Sequence, residues 1–393
     1  MLPVSATVAA RARDVSLTPD DIRRFSRHLL LPQVGVQGQQ RLKAARILIV
    51  GLGGLGAPVS LYLAAAGVGT LGLVDADTVD VSNLQRQILY ADQDVGGSKL
   101  AATARRLGEL APAARLVLHE ERLEAANAER ILADYDIVVD GTDNFGTRYL
   151  INDACVLLGK PNVHGSIFRF DGQASVFYAP HGPCYRCLFP EPPSPELVPS
   201  CAEGGVLGVL PGQIGLVQAT EALKLAIGEG EPLLGRLLVY DAMAMRFAEY
   251  RVGRDAACPA CGTSPTIRTL SDLTWSCRTA PVAGSESSVP ELDVSELRQW
   301  RTQGRPHVLV DVRSAEEVAI CCISGSLLVP LGELAARLGE LPRDRPLVVH
   351  CKSGARSARA VRLLQEQGFM QAVSLRGGIL AWADACEPDL PRY

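Results

Sequence analysis

The segment Ile47-Leu48-Ile49-Val50-Gly51-Leu52-Gly53-Gly54-Leu55-Gly56 constrains the chain more than any other, because an apolar run that breaks into closely spaced glycines is a strand feeding a tight turn. Gly51 allows the turn, Gly53 lets backbone amides approach a phosphate, and Gly56 seats the next helix against the strand. Pro58 falls early in that helix, where a missing amide hydrogen costs nothing, and Gly67 with Gly69 ends it. The following apolar run, Leu71-Gly72-Leu73-Val74, closes with Asp75, an acid about 20 residues downstream where a ribose hydroxyl would find an acceptor. The local reading is β-α-β, and the fold class is α/β with a Rossmann-like nucleotide-binding unit.

The glycines by themselves also fit a nicotinamide oxidoreductase. Ser82-Asn83-Leu84-Gln85-Arg86-Gln87 and then Lys99 argue otherwise, since they gather amide, guanidinium and ammonium donors that a hydride-transfer site has little use for. Such donors stabilise charge that develops on phosphoryl oxygens. Ile137-Val138-Val139-Asp140-Gly141-Thr142-Asp143-Asn144 is a further apolar strand ending in carboxylate and amide, and Asp143 is placed to hold Mg²⁺, which prefers one or two carboxylates plus phosphate oxygens. Taken singly, an Arg or Lys is a solvated charge, an Asp before Asn is a turn former, and Gly96-Gly97-Ser98 is an ordinary loop entering a helix. Acids at the carboxyl ends of successive strands, where α/β sheets bind ligands, make the set a site.

The block from Arg27 to Gly262, about two-thirds of the chain, resembles the ubiquitin-activating-enzyme-like adenylyltransferases of the MoeB and ThiF type, through Gly-Leu-Gly-Gly-Leu-Gly, Ser-Asn-Leu-Gln-Arg-Gln and Gly-Thr-Asp-Asn. The resemblance implies that ATP activates the C-terminal glycine carboxylate of a ubiquitin-like protein. It also implies contacts to ATP or its metal from Gly54, Asp75, Asn83, Arg86, Lys99, Asp143 and Asn144. Arg27 matches an arginine that reaches the ATP site of a partner subunit, so a homodimer is expected.

Cys184-Tyr-Arg-Cys187 and Cys258-Pro-Ala-Cys261 are two Cys-x-x-Cys knuckles, each of which presents two thiolates to one tetrahedral Zn²⁺. Two redox dithiols are the competing reading, but neither pair follows a thioredoxin-like strand. A Cys₄ zinc is structural, as the resemblance also implies. Between the knuckles Cys201 sits in Pro199-Ser200-Cys201-Ala202-Glu203-Gly204-Gly205, either as a small apolar residue or as a nucleophile that reaches the activated carboxylate. In proteins that resemble this one, a cysteine in that loop forms a thioester or resolves an acyl disulfide.

Periodicity is lost from Thr269 to Glu291, and Ala283-Gly-Ser-Glu-Ser-Ser-Val-Pro290 reads as a flexible linker. The expected organisation is a nucleotide-binding domain over 1–270, a linker over 271–290 and a second α/β domain over 291–393. In the second domain Leu292–Arg301 reads as a capped amphipathic helix, and His307–Asp311 and Leu347–His350 read as buried strands. Cys351 follows directly. Cys351-Lys352-Ser353-Gly354-Ala355-Arg356-Ser357 leads into a helical run from Ala358, and backbone amides around a sulfur at a helix start, with Lys352 and Arg356 adding charge, suit an anion or a persulfide. Protein tyrosine phosphatases place one residue more between cysteine and arginine, so this smaller loop fits sulfur better than phosphate. The domain resembles single rhodanese domains, with Asp311-Val-Arg313 and Arg376-Gly-Gly-Ile-Leu-Ala-Trp382 in support. It departs at Cys321-Cys322-Ile323-Ser324-Gly325-Ser326, where rhodaneses show Gly-His-Ile-Pro-Gly-Ala, and that puts the rigidity of this loop in question. Cys155, Cys277 and Cys386 read as structural.

Length allows two or three domains at 393 residues, and a net charge of −4 gives no basic footprint for direct nucleic-acid binding. Met1–Asp14 shows no signal-peptide core and no apolar run spans a bilayer, so no membrane association and a reducing cytoplasm are expected. The combined expectation is an adenylyltransferase and sulfurtransferase using ATP, Mg²⁺ and Zn²⁺. Its partners are a ubiquitin-like sulfur carrier of the MoaD or ThiS type ending in Gly-Gly and a sulfur donor such as a cysteine desulfurase or thiosulfate. The alternatives are an activator that forms a thioester on Cys201 for protein conjugation, the oxidoreductase above, and a non-catalytic scaffold.

Overall fold

A computed structural model describes residues 2–179, 181–193, 204–272 and 289–393. Cys201, Cys277 and most of the expected linker lie outside the described residues. The chain divides into two compact units, Met1–Arg278 and Thr279–Tyr393.

Apolar runs in the first unit become β1 (Arg46–Val50), β2 (Thr70–Val74), β3 (Arg115–His119), β4 (Ile137–Asp140) and β5 (Asn162–Phe168), joined by β6 (Asp171–Phe177), β7 (Arg236–Asp241) and β8 (Arg246–Arg251). They form one sheet in the order β3-β2-β1-β4-β5-β6-β7-β8. Strands β1 to β5 pair in parallel and the rest antiparallel. Parallel strands need crossovers, and helices such as Gly56–Ala65, Lys99–Leu110 and Phe145–Leu158 supply them. Helix Leu210–Ile227 covers β5 and β6 and packs on the helix Gly56–Ala65. Leu48, Ile49, Leu71, Leu73, Val138 and Val139 are all fully buried, as strands covered on both faces require. Reversal of strand order at β1, with β2 on one side and β4 on the other, opens a crevice at their carboxyl ends.

The second unit is a parallel sheet of β9 (Glu291–Leu292), β10 (Val308–Asp311), β11 (Leu327–Leu328), β12 (Leu347–His350) and β13 (Ala372–Leu375), ordered β11-β10-β12-β13-β9. The helix expected from Leu292 begins at Val294, because an Asp293/Glu296 capping box fixes its start and Leu292 pairs with Leu375 instead. Helix Ala355–Glu366 likewise begins earlier than Ala358, so Arg356 lies in its first turn rather than in the loop. The atypical loop after Cys321 is well anchored. Ile323 is fully buried, and the Ser326 hydroxyl bonds both the Ile323 carbonyl (2.8 Å) and His350 Nε2 (2.9 Å).

Candidate functional site

Because β2, β1 and β4 are parallel neighbours, Gly51, Asp75 and Asp143, which follow their last residues, arrive at one edge of the sheet. Gly51 has φ +84°, which the tight turn demands, and a Cβ on Gly56 would lie 1.8 Å from the Gly51 carbonyl oxygen. At Gly53 a Cβ would meet only Gln87 Nε2, at 3.6 Å, so the protein's own packing leaves that surface open to a ligand. Gly54 faces Pro211 and Arg86. The turn is tied to the acid: the Leu52 amide donates to Asp75 Oδ2 (2.7 Å), and the Asp77 amide donates to Oδ1 (2.8 Å). Burial pushes the Asp75 carboxyl up, against those amides and the Lys99 charge. Each carboxylate oxygen keeps lone pairs that can accept from a hydroxyl.

Lys99 opens its helix beside the Ser98 cap, is 7% exposed, and donates to Asp77 Oδ2 at 3.1 Å. Ser82 and Asn83 belong to a short turn capped by Asp80, Leu84 packs on the core, and exposed Gln85 abuts Gly208. Arg86 donates to the Ser82 carbonyl at 2.9 Å and lines a largely apolar groove of about 890 Å³ with Pro58, Gln85, Val209 and Leu216. Asp143 is exposed, and Asn144 caps the helix Phe145–Leu158 by accepting from the Thr147 amide at 2.9 Å. The Asn144 carbonyl oxygen is therefore committed, and its NH₂ is the group that can meet a ligand. The glycine turn, Asp75 and Asp143 share one strand edge, Lys99 reaches it through Asp77 and Arg86 lies beside Gly54, whereas Arg27 does not join them. Arg27 is exposed on the short helix Ser26–Leu29, next to Phe25, which packs by Gly67 near the amino end of β2, opposite the end that carries Asp75.

Five buried side chains behind this edge, Gln87, Asp140, Thr142, Arg148 and His164, were given no role in the sequence reading. Gln87 is 4% exposed with its Oε1 unpartnered, next to Gly53; its place in the Ser82–Gln87 motif was the available signal. Asp140 accepts from the Thr142 amide (3.0 Å), the Thr142 hydroxyl (2.6 Å) and His164 Nδ1 (3.1 Å), while Arg148 donates to the Thr142 carbonyl (3.0 Å). Burial alone would raise the Asp140 pKa, yet His164, Arg148 and Thr142 bring it below the usual range, and burial pushes the His164 imidazole down against the pull of Asp140. This fixes the strand end that presents Asp143.

The four knuckle cysteines converge. Their sulfurs all lie within 4.8 Å of one another, with Cys184 3.9 Å from Cys187 and 3.5 Å from Cys258, and Cys187 3.4 Å from Cys261. Four thiolates at the Zn–S length sit about 3.8 Å apart at the corners of a tetrahedron, so the cluster fits such an ion. Cys155 is buried elsewhere, in an apolar cluster that pushes its thiol up.

In the second unit, Cys351 follows β12 and is 1% exposed. Its Sγ accepts from the Gly354 amide (3.2 Å) and lies 3.6 Å from the Ser357 hydroxyl, which also contacts Ser374 Oγ (2.9 Å). The two cations expected to reinforce the sulfur are engaged otherwise. Arg356 makes two 2.7 Å bonds to Glu317, because its position on the first helical turn directs it there, and Lys352 lies over the Tyr393 ring at 4.6 Å. Asp311 and Arg313 form a fully buried pair at 2.6 Å.

Residues 25–260 match the ThiF family and residues 293–385 match the rhodanese-like domain. The chain is 48% identical over 385 residues to the probable adenylyltransferase/sulfurtransferase MoeZ of Mycobacterium tuberculosis, covering 96% of this chain and 97% of that protein. It is 42% identical over 422 residues to the adenylyltransferase and sulfurtransferase MOCS3 of Sus scrofa, covering 100% of this chain and 91% of the relative. Among solved structures, E. coli MccB with succinimide superposes with a TM-score of 0.56 at 21% identity, over 64% of this chain and 76% of that one, a likeness of fold. The chain belongs to the ThiF family, among the members that join an adenylyltransferase unit to a rhodanese-like sulfurtransferase domain.

Proposed function

We propose that the chain adenylylates the C-terminal glycine of a ubiquitin-like sulfur carrier ending in Gly-Gly and then converts that carboxylate to a thiocarboxylate with sulfur taken up by Cys351. The observation that supports this reading is the shared strand edge, where the glycine turn, Asp75 and Asp143 follow parallel neighbouring strands and Lys99 joins them through Asp77. ATP lies along the Gly51–Gly56 turn with its ribose toward Asp75. Asn83, Arg86, Lys99 and Asn144 supply donors for the phosphates, and Asp143 holds Mg²⁺, whose charge offsets that of the phosphate oxygens. The carrier carboxylate attacks the α-phosphorus and pyrophosphate leaves. The Cys₄ cluster holds Zn²⁺ and staples the segments around residues 184 and 258, taking no part in the chemistry.

On the second unit, the Cys351 sulfur accepts a sulfane sulfur and becomes a persulfide. Its terminal sulfur attacks the acyl-adenylate carbonyl, AMP departs, and an acyl disulfide remains. Cys201 attacks the Cys351 sulfur of that disulfide, which releases the thiocarboxylate and leaves a Cys201–Cys351 disulfide for a cellular thiol to reduce. The assembly is a homodimer in which Arg27 serves the partner's crevice. Exposed Leu30 (72%) and Leu31 beside Arg27 support an interface there. No helix among the described residues is long and apolar enough to cross a membrane, and a reducing cytoplasm suits the free thiols.

Mass spectrometry of a Gly-Gly-ending carrier after incubation with the protein, ATP-Mg²⁺ and a sulfur donor tests the reading. The carrier gains the mass difference between sulfur and oxygen, and Cys351→Ala abolishes the gain while pyrophosphate exchange continues. A carrier that becomes thioester-linked to Cys201 and never gains sulfur would place the protein among conjugation activators.

A further inference from the structure

In the second unit, one aromatic side chain touches three of the charged groups around the sulfur loop. The Tyr393 hydroxyl accepts from Arg313 Nη1 (2.7 Å) and donates to Glu317 Oε1 (2.8 Å), and its ring carries the Lys352 ammonium at 4.6 Å. Glu317 in turn accepts two guanidinium bonds from Arg356. Burial works against ionisation of Glu317, but Arg356, the Ser314 amide and Tyr393 outweigh it and hold its carboxyl down to about 2. The result is a continuous chain, Asp311–Arg313–Tyr393–Glu317–Arg356, anchored at one end in the core and at the other on the loop helix. Among the described residues the hydrogen-bond contacts of the Cys351 sulfur are to neutral groups, the Gly354 amide and the Ser357 hydroxyl.

That division of labour bears on which sulfur compound can approach. Thiosulfate presents its sulfane sulfur on a sulfonate dianion, which needs cations free to meet the sulfonate oxygens. A hydropersulfide, R–S–SH, carries at most one negative charge and needs only neutral donors. We propose that Glu317 and Tyr393 are donor-selecting positioning residues, which commit Arg356 and Lys352 away from the incoming donor and so tune the loop to hydropersulfides over thiosulfate. The proposal rests on Cys351 being the sulfur acceptor. In the favoured step the Cys351 thiolate attacks the terminal sulfur of R–S–SH, a new S–S bond forms, the old one breaks, and RS⁻ leaves with the electron pair and takes up a proton. With thiosulfate the same attack expels sulfite. Neither step requires an outside oxidant or reductant.

The test measures persulfide formation on the full-length protein by mass spectrometry, with thiosulfate, with cysteine hydropersulfide and with a persulfide-bearing cysteine desulfurase. Glu317→Gln, which weakens the hold on Arg356, and Tyr393→Ala, which removes the ring under Lys352, should each raise kcat/KM for thiosulfate relative to cysteine hydropersulfide by on the order of tenfold, through KM, because a freed cation raises the local concentration of a dianion. Glu317→Asp, which keeps the charge, should return the ratio toward the parent value. Faster transfer from the desulfurase than from free hydropersulfide identifies a protein as the source of the same chemistry. Parallel changes for both small donors in Glu317→Gln and Tyr393→Ala, with the ratio fixed, overturn the proposal and leave these residues as structural. Persulfide formed equally well by Cys351→Ala would instead overturn the assignment of the acceptor itself.

Discussion

At the level of single residues, the two glycines of the turn separate packing from ligand contact. A methyl at position 56 would sit 1.8 Å from the Gly51 oxygen, so Gly56→Ala must displace backbone, at a cost of about 1–3 kcal/mol or more. Gly53→Ala meets nothing closer than a side-chain nitrogen at 3.6 Å. Thermal melts with and without ATP should show Gly56→Ala destabilised in both conditions, and Gly53→Ala with the parent melting point but without the shift that ATP produces. A Gly53→Ala protein that still shifts normally would take the turn out of phosphate contact. Glycines and knuckle cysteines were legible in the sequence because their chemistry is set by local spacing. Gln87, Glu317 and Tyr393 were not, since each acts through a neighbour far away in the chain; Tyr393 meets Arg313 across 80 residues.

Among the elements, β12 carries a pH-sensitive group of the second unit. His350 is fully buried at its end, and burial pushes the imidazole down to about 4, despite Asp311 at 3.8 Å. A base whose folded pKa is depressed contributes its full stability above the unfolded value near 6.5 and loses it as pH falls toward 4, because the unfolded chain binds the extra proton. The difference is worth roughly 3 kcal/mol. Denaturant unfolding followed through Trp300 and Trp382, both in this unit, should weaken steadily between pH 6.5 and 4, and His350→Gln should flatten that slope even if its stability at neutral pH is lower. Strand and helix positions were readable from apolar runs and caps, while boundaries shifted where pairing or capping won locally. Leu292 went to β9, and the loop helix began at Ala355, which turned Arg356 toward Glu317.

For the whole molecule, Arg27 is the residue whose assigned role a single chain cannot fulfil, lying at the amino end of β2 while the crevice opens at the carboxyl end. Arg27→Ala and Lys99→Ala, each inactive in pyrophosphate exchange when alone, should recover activity on mixing and re-equilibration, since hybrid dimers contain one complete site. If mixing restores nothing although hybrids form, Arg27 acts within its own protomer or not at all. The order of synthesis adds a constraint of another kind. A nascent chain folds from its amino end as it emerges, at about 5–20 residues per second. Cys351 and its loop are made well before Tyr393, the residue that ties Arg313, Glu317 and Lys352 together. On the ribosome, therefore, the nucleotide-binding unit can finish folding while the sulfur loop still lacks its closing contact, and Lys352 reaches its aromatic partner only once residue 393 has been added.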